Sequence, residues 1–450
     1  MKRETAMFDL LSTRRKRLAL FFLLYVTGGI PLGFTSVALA AQLRRAGVGP
    51  AAIGAFVAAM YLPWSWKWVM GPMVDMVWSQ RLGRRRAWIV GAQIMMAITL
   101  LAMIPLDPSS QIRAFTVIVL MHNTFAALQD VAIDALACTT LQPEERGTAN
   151  GLMFAGSYIG SGIGGAGVLL LLDRIGLPFA CLLVFGLITI LILFVSIHIQ
   201  DRPEAAAFHG SAANVSAAVR RYAIDTAEAF FGSVGQLFGV LFALLPTGAY
   251  AMGLAIQTNL AVELGLDDTR IGLLSVASTI MAASGCVLGG KLSDTLGRVR
   301  FITISVLLTI LPTLAFAIQL SKSEWLVSGS GEILSPAPHE IITGFWLACT
   351  CYNFAQGLIQ GSRTAMFMDL VNPTVAATQF TAYMAMMNLA IALSAWWQGI
   401  VAESHGYSTV LFLDCAVGGI CLLTLPFLGA AIASRKNVQI LLRPAVPSSR

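Results

Sequence analysis

Four ionisable side chains lie inside long apolar runs of the sequence, where a charge is costly. They are two bases and two acids: Lys67, Asp130, Asp134 and Arg363. A charge at the middle of a membrane costs about 2.5–3.5 kcal/mol on insertion scales, so such residues face a cavity and find a partner. We therefore expect the bases and the acids to neutralise one another in the protein interior.

The two buried acids can have either of two roles. In the first, a carboxylate takes up a proton in one state of the protein, because its pKa depends on its burial and on a nearby cation. In the second, it forms a permanent ion pair. Both readings stay open for Asp130, while Asp134 lies nearer the end of its run, which favours the structural reading. Two further acids, Asp369 and Asp414, are close to the ends of apolar runs, and we expect them to be solvated.

A polar stripe marks the apolar run that contains Arg363. Its members recur at positions i, i+3, i+7 and i+10, which places them on one face of a helix: Asn353, Gln356, Gln360 and Arg363. A stripe of amides and a guanidinium cannot face lipid, so we expect it to line a central cavity. Solute binding is the corresponding function, and a polar, anionic solute fits two buried bases, Lys67 and Arg363.

The composition identifies the elements that must position these residues. Of the 450 residues, 57% are hydrophobic and 12% are charged, whereas soluble domains are about 45–50% apolar and about 25% charged. The chain is therefore expected to be an all-α, polytopic membrane protein. The net charge of +6 needs no nucleic-acid partner, because basic residues gather in cytoplasmic loops. Without a metal-ligand, phosphate-loop or hydrolase motif, we expect no cofactor, no metal and no enzyme activity.

Twelve apolar runs are long enough to cross a membrane. They lie near 18–42, 51–77, 87–106, 114–138, 148–172, 178–199, 236–262, 271–290, 301–320, 341–370, 379–402 and 408–433. With the N-terminus inside, the cytoplasmic loops and termini hold 21 of the 29 basic residues and the external loops hold six. The excess predicts that both termini are cytoplasmic.

The twelve runs divide into two similar halves. A shift of 218 residues superposes Gly54 on Gly272, and a shift of 230 superposes Asn123 on Asn353. We therefore predict two pseudo-symmetric six-helix bundles around a central site. The predicted parts are an N-terminal bundle, a cytoplasmic linker, a C-terminal bundle and a cytoplasmic tail: 1–199, 200–235, 236–433 and 434–450. The repeat places Asn123 and Asp130 at the positions that Asn353 and Gln360 occupy in the second half.

A charged loop occurs at matching places in the two halves. The first reads GPMVD from Gly71 and then LGRRR from Leu82, and the second reads GGKLSDTLGRVR from Gly289. This pattern resembles the signature loop of the major facilitator superfamily. The resemblance implies that four residues latch the outward-open state: Asp75, Arg84, Asp294 and Arg298. The neighbouring Arg85 and Arg86 fit an ordinary role in setting topology.

The first half carries a narrower resemblance. The segments KWVMGPMVD from Lys67, LGRRRAW from Leu82, QDVAIDA from Gln129, and PEERG from Pro143 are similar to the branch that contains the AmpG muropeptide permeases and the acetyl-CoA transporters. Bacterial siderophore permeases of this branch share these features. The resemblance implies the facilitator fold, proton-driven import across the inner membrane, and Gln129 and Asp130 as cavity residues.

Together these features predict a monomeric, proton-coupled permease of the bacterial inner membrane that imports a small, muropeptide-like solute. Its substrate-binding residues would be Lys67, Asn123, Gln129, Asn353, Gln356, Gln360 and Arg363, and its proton-coupling residues Asp130 and Asp134. Alternatives are a permease for siderophores or other metal complexes, and a non-transporting sensor or assembly factor of the same fold.

Overall fold

The structure, a computed structural model, describes most of the chain. The described residues are 10–39, 43, 56, 62–64, 66–77, 83–107, 110–198, 212–253, 255–266, 268–323 and 337–441. The regular elements in these ranges are helices, which confirms the all-α class. Most of the predicted second span, the start of the predicted linker and the end of the predicted tail lie outside the described residues.

The first half contributes six helices to the described structure. They are α1 (Arg14–Gly33), α2 (Met70–Met76), α3 (Arg86–Met103), α4 (Ile112–Thr140), α5 (Arg146–Gly162) and α6 (Val168–His198). A 3-10 turn, Lys67–Val69, leads into α2. A π-helical turn, Ile163–Gly167, joins α5 to α6, and α6 is broken at Gly176, whose φ is 74°.

The second half follows a linker helix, α7 (Ala212–Phe231). Its helices are α8 (Val234–Leu244), α9 (Ala255–Glu263), α10 (Asp268–Leu296), α11 (Arg298–Lys322), α12 (His339–Leu370), α13 (Ala376–His405), α14 (Tyr407–Gly419) and α15 (Leu425–Leu441). The linker helix meets α8 at a bend of 76°.

Within the described ranges, nine helices are long and apolar enough to cross a membrane, or ten if the bent pair is one span. The chain is thus a multi-pass membrane protein, and the count of twelve stays a prediction. One predicted span, α12, has 32 residues but is not among these helices. Asn353 and Gln356, two amides of the polar stripe, lower the mean hydropathy of this helix.

The predicted seventh span, 236–262, is not one continuous helix. Helix α8 ends at Leu244 and α9 begins at Ala255, with a 3-10 turn between them. Within this break Gly248 has a φ of 89°, which favours glycine, and its N–H donates to the Gly418 carbonyl over 3.2 Å. The break thus lies directly against the backbone of α14.

Close contact between the halves depends on glycine where α5 crosses α10. A Cβ at Gly290 would overlap the carbonyl oxygen of Gly147, and a Cβ at Gly147 would overlap that of Gly290. Glycine at both positions lets the two backbones touch. The largest buried apolar cluster also contains side chains of both halves, among them Leu136 and Met366.

Candidate functional site

The structure brings Lys67 and Asp130 together in the first half. The Lys67 Nζ lies 2.7 Å from Asp130 Oδ2, and Lys67 is 2% exposed whereas the Asp130 side chain is 26% exposed. The 3-10 turn before α2 and the middle of α4 position the two groups. The predicted partners thus form an ion pair whose acid retains access to solvent.

Asp134 follows Asp130 by one helical turn, but it is more deeply buried and differently bonded. It is 1% exposed, and the Tyr25 hydroxyl donates to its Oδ1 over 2.6 Å. Its Oδ2 is buried without a hydrogen-bond partner, and no base among the described residues lies within 4 Å of it. Lys67 is therefore the cation that both acids must share.

A small cavity adjoins this charge cluster. It measures about 70 Å³, and Gln129 and Asp130 are among the residues that line it. The Gln129 amide donates to Thr27 Oγ1 over 3.0 Å, so it joins α4 to α1. Asn123 lies two turns earlier on α4 and is fully buried. The predicted first-half residues Asn123, Gln129 and Asp130 therefore all lie on α4, and Asp130 contacts Lys67.

Arg363 is the buried cation of the second half, and neutral groups hold it. Its Nη1 donates to Thr247 Oγ1 over 3.2 Å and to the Tyr250 hydroxyl over 3.0 Å, and its Nη2 donates to Gln360 Oε1 over 2.6 Å. The residue is 2% exposed, and its Nε has no acceptor among the residues that the structure describes. In the described part of the chain no carboxylate lies within 4 Å, so the expectation that an acid neutralises Arg363 is wrong there.

One member of the polar stripe, Asn353, lines a larger cavity between the halves. This cavity measures about 270 Å³, and its lining includes Asn353, Ser278 and Gln257 of the second half and Tyr158 of the first. The Ser278 hydroxyl and the Gln356 Oε1 are buried without hydrogen-bond partners in the described part of the chain. The lining is uncharged and mixes polar with aliphatic side chains, which suits a solute with hydroxyl and amide groups.

Asp75 makes the first of two contacts that close one end of the protein. Its carboxylate accepts hydrogen bonds from the backbone N–H groups of Ala377 (3.2 Å) and Thr378 (2.9 Å), at the start of α13. Within its own half it pairs with Arg85 at 2.7 Å. An acid at a helix N-terminus satisfies N–H groups that have no helical acceptor. We call these four residues the first latch.

The closest base to Asp75 differs from the predicted one. Arg84 lies 4.0 Å from the carboxylate and donates to the Asp75 carbonyl over 2.6 Å, whereas Arg85 makes the short ion pair and is buried. Arg85 also donates to the Val74 carbonyl over 2.6 Å, which fixes its guanidinium against the end of α2. Arg85, for which the sequence indicated only a role in setting topology, therefore pairs directly with the acid of the first latch.

Asp294 makes the second contact in the same way. It accepts from the N–H groups of Gly147 (2.8 Å) and Thr148 (2.6 Å), in the first turn of α5, and it pairs with Arg298 at 2.5 Å. We call these four residues the second latch. Each latch joins an acid at the end of one half's helix to the start of a helix in the other half, as the internal repeat predicts.

Asp369 strengthens the second latch. Arg298 Nε lies 3.1 Å from its Oδ2, and Arg146 Nη1 lies 2.8 Å from its Oδ1. Its side chain is 5% exposed, so the expectation that it is solvated is wrong. Asp369 lies at the end of α12, and Arg146 of α5 and Arg298 of α11 bind its carboxylate in place of solvent.

The chain matches a known family of membrane proteins along most of its length. The Major Facilitator Superfamily profile matches residues 18–395, with a second match over 237–440. The chain belongs to the Major Facilitator Superfamily. It is 26% identical over 423 residues to the anhydromuropeptide permease of Escherichia coli strain K12, with 91% of this chain and 79% of that protein covered.

Solved structures of facilitators share the fold. The fucose:proton symporter FucP of E. coli superposes with a TM-score of 0.67 at 13% identity, covering 91% of this chain and 98% of that one. A bacterial homologue of the iron transporter ferroportin, in an outward-facing state, gives 0.66 at 12% identity, covering 93% and 100%. Membership in a family of transporters means that the chain is a permease and not an enzyme.

Both latches lie at one end of this facilitator, and the larger cavity lies away from them. Ser278 in the cavity precedes Asp294 by 16 residues on α10, which corresponds to about 24 Å along a helix. The protein is therefore closed at the latch end.

The linker helix also reaches the first latch. The Tyr222 hydroxyl lies 3.4 Å from Asp75 Oδ2 and makes a short hydrogen bond with the Thr378 hydroxyl. Burial, with a contribution from Asp75, raises the pKa of Tyr222 to about 12, so the hydroxyl remains a donor at physiological pH. Gln379 binds the Ala229 carbonyl of the same helix over 2.5 Å. The linker helix thus contacts the first latch directly through Tyr222.

Tyr222→Phe is expected to open the first latch more often, because it removes the hydroxyl and leaves the ring. A cysteine placed at the buried Ala377, with the exposed Cys351 changed to Ser, should react about two- to tenfold faster with a maleimide, since a hydrogen bond contributes about 0.5–1.5 kcal/mol. Tyr407→Phe, which removes a hydrogen bond to Glu263, is the matched control. Equal rates in the Tyr222 variant and its parent would contradict a role of the linker in the latch.

Lys67→Met is expected to destabilise the protein by about 3–5 kcal/mol, because it leaves the partly buried acid pair of Asp130 and Asp134 without its cation. The double variant Lys67→Met/Asp130→Asn should recover most of the loss, since it removes one acid as well. The thermal unfolding midpoint in detergent measures both. A single variant as stable as the wild type, or a double variant no better than the single, would mean that the pair does not neutralise the site.

Proposed function

We propose that this facilitator imports a polar, anionic solute across the bacterial inner membrane together with protons, by alternating access. Arg363 binds the anionic group, the amide stripe and Asn123 bind neutral parts of the solute, and the cluster of Lys67, Asp130 and Asp134 couples transport to protons. Both termini lie in the cytoplasm, and the latch end faces the cytoplasm.

The observation that carries the proposal is the bonding of Arg363. A guanidinium has five N–H donors, and the neutral groups around Arg363 accept three hydrogen bonds from Nη1 and Nη2. Among the described residues, the Nε–H and one Nη2–H have no acceptor. These two nitrogens can donate two parallel hydrogen bonds to one carboxylate or phosphate. A solute anion would thus supply the acid that the described residues do not.

The proton-coupling step rests on the count of charges around Lys67. One base serves two acids, and Asp130 makes the short contact with it. The extra negative charge at Asp134 is costly while it is buried, so the site favours one bound proton. We assign that proton to Asp134, which accepts a hydrogen bond from Tyr25. The proton reaches Asp134 through the partly exposed Asp130. Loss of the proton would let Lys67 shift from one acid to the other.

Alternating access follows from the two latches. When the solute and the proton are bound outside, the carboxylates of Asp75 and Asp294 must leave the helix starts that they cap before the cytoplasmic end can open. The excess of basic residues in the even-numbered loops supports placing this end in the cytoplasm.

The solute that we propose is an anhydromuropeptide or a molecule of similar chemistry. The relative with 26% identity is named an anhydromuropeptide permease. The amide and hydroxyl groups of the larger cavity, together with the guanidinium of Arg363 farther along α12, suit a molecule that carries hydroxyl, amide and carboxylate groups. An iron–siderophore complex is the alternative solute within the same superfamily.

The test is uptake into right-side-out membrane vesicles with an acidic exterior. We expect a radiolabelled anhydromuropeptide to accumulate above its external concentration, and the same molecule with its carboxylates amidated to bind at least tenfold more weakly. Preferred uptake of a ferric siderophore would replace the proposed solute. Vesicles that contain the protein but take up neither compound would favour the non-transporting sensor or assembly factor.

A further inference from the structure

The second half contains a buried acid that the proposed function leaves unused. Asp414 on α14 is 0% exposed, although its sequence position predicted a solvated group. Its Oδ2 accepts from the backbone N–H groups of Tyr250 (2.7 Å) and Ala251 (2.8 Å), and its Oδ1 accepts from Gln398 Nε2 (2.7 Å). No base in the described ranges lies within 4 Å of this carboxylate. Its partners are thus neutral donors from two other elements.

The break between α8 and α9 explains why an acid lies there. An interrupted helix leaves N–H groups without a helical acceptor, and in a membrane protein each such group must find one inside the protein. A single carboxylate oxygen accepts two of them and makes stronger hydrogen bonds than a neutral acceptor. Asp414 therefore holds the broken backbone at Tyr250 and Ala251.

The same tyrosine connects the break to Arg363. The backbone N–H of Tyr250 binds Asp414, while its hydroxyl accepts from Arg363 Nη1 over 3.0 Å and from the Thr247 N–H over 3.1 Å. Thr247 in turn accepts from Arg363 through its own hydroxyl. Two of the three hydrogen bonds that orient the guanidinium therefore come from a turn that Asp414 holds.

We propose that Asp414 is a positioning residue for solute binding: it fixes the break in the seventh span so that Thr247 and Tyr250 present the Arg363 guanidinium to the anionic group of the solute. The proposal rests on the function proposed above. It assigns Asp414 a role through hydrogen bonds, which an amide can imitate, and no role as a proton carrier.

Two substitutions separate these roles. Asp414→Asn keeps an oxygen for the two N–H groups. Gln398 Oε1 is buried without a partner among the described residues, so the Gln398 amide can rotate by 180° and accept a hydrogen bond from the new Asn amide. Asp414→Val keeps the branched shape and removes every acceptor. Thr409→Val, on the same helix as Asp414, removes a hydroxyl that donates to the His405 carbonyl at the end of α13 and is the matched control.

The first measurement needs no solute. Hydrogen–deuterium exchange of the full-length protein in detergent should show faster exchange over 245–253 in Asp414→Val, and wild-type exchange in Asp414→Asn and Thr409→Val. Unchanged exchange in Asp414→Val would overturn the proposal. This readout also separates the two ideas, because it is unaffected if the wild type does not transport the probe.

The second measurement is uptake of the radiolabelled anhydromuropeptide. Asp414→Val should raise KM about tenfold or more with kcat within about threefold of the wild type, whereas Asp414→Asn should keep both. Loss of gradient-driven accumulation in Asp414→Asn would show a proton carrier and overturn the positioning role. Should Asp414→Val fail to fold, Tyr250→Phe tests the same connection: a raised KM supports it, and an unchanged KM overturns it.

Discussion

Asp134→Asn is expected to abolish accumulation of solute driven by a proton gradient, while exchange of labelled for unlabelled solute at equal pH continues. The amide has nearly the shape of a protonated carboxyl group, so the variant remains in the state that has bound its proton. In that state the protein can carry solute in both directions, but the gradient no longer drives it. The measurement compares uptake under an imposed pH gradient with counterflow in the same vesicles.

The position of Asp134 explains why the expected effect is complete. Asp130 makes the short ion pair with Lys67, whereas Asp134 has one hydroxyl donor and a second oxygen without a partner. Asp107→Asn, which changes an exposed acid in a loop, should leave both assays at the wild-type level. Normal accumulation by Asp134→Asn would remove this acid from coupling and leave Asp130 as the candidate.

Arg363→Met is expected to weaken solute binding by about 10- to 100-fold, because hydrogen bonds to a charged group contribute about 1.5–3 kcal/mol. Methionine fills part of the buried volume without a charge. Arg363→Lys should bind more weakly than the wild type as well, since an ammonium group cannot make the two parallel hydrogen bonds of a guanidinium. Apparent affinity from concentration-dependent counterflow is the measurement.

Two controls make the Arg363 result specific. Arg113→Met changes an exposed base at the start of α4 and should leave the affinity unchanged. The amidated solute should bind the wild type and Arg363→Met about equally, because it lacks the group that the guanidinium binds. An unaltered affinity of Arg363→Met for the anionic solute would make Arg363 a structural charge.

The sequence located the four ionisable residues in the middle of apolar runs, because a charge there has a physical cost that its position alone reveals. It missed the buried acids near the ends of runs, Asp369 and Asp414. Lys67 and Asp130 form the expected pair. The sequence could not show that Arg363 has neutral partners, since Thr247 and Tyr250 lie more than 110 positions earlier in the chain and are ordinary residues in a hydrophobic run.

The break in the seventh span is a second feature that the sequence could not predict. The break depends on contacts with α14, including Asp414 and the Gly418 carbonyl, and no local pattern in 236–262 predicts these contacts.

The side-chain pairing in the first latch could not be predicted from the sequence either. The repeated motif located both acids, but whether Arg84 or Arg85 pairs with Asp75 depends on how the loop before α3 turns.

The central claim is that solute and proton cross the membrane together, and internal pH measures it most directly. Purified protein in proteoliposomes that contain a pH-sensitive dye, with equal pH on both sides, receives an external anhydromuropeptide. The account predicts that the interior becomes acidic as the solute enters and that Asp134→Asn removes this change while still exchanging solute. Entry of the solute without any change of internal pH in the wild type would contradict it.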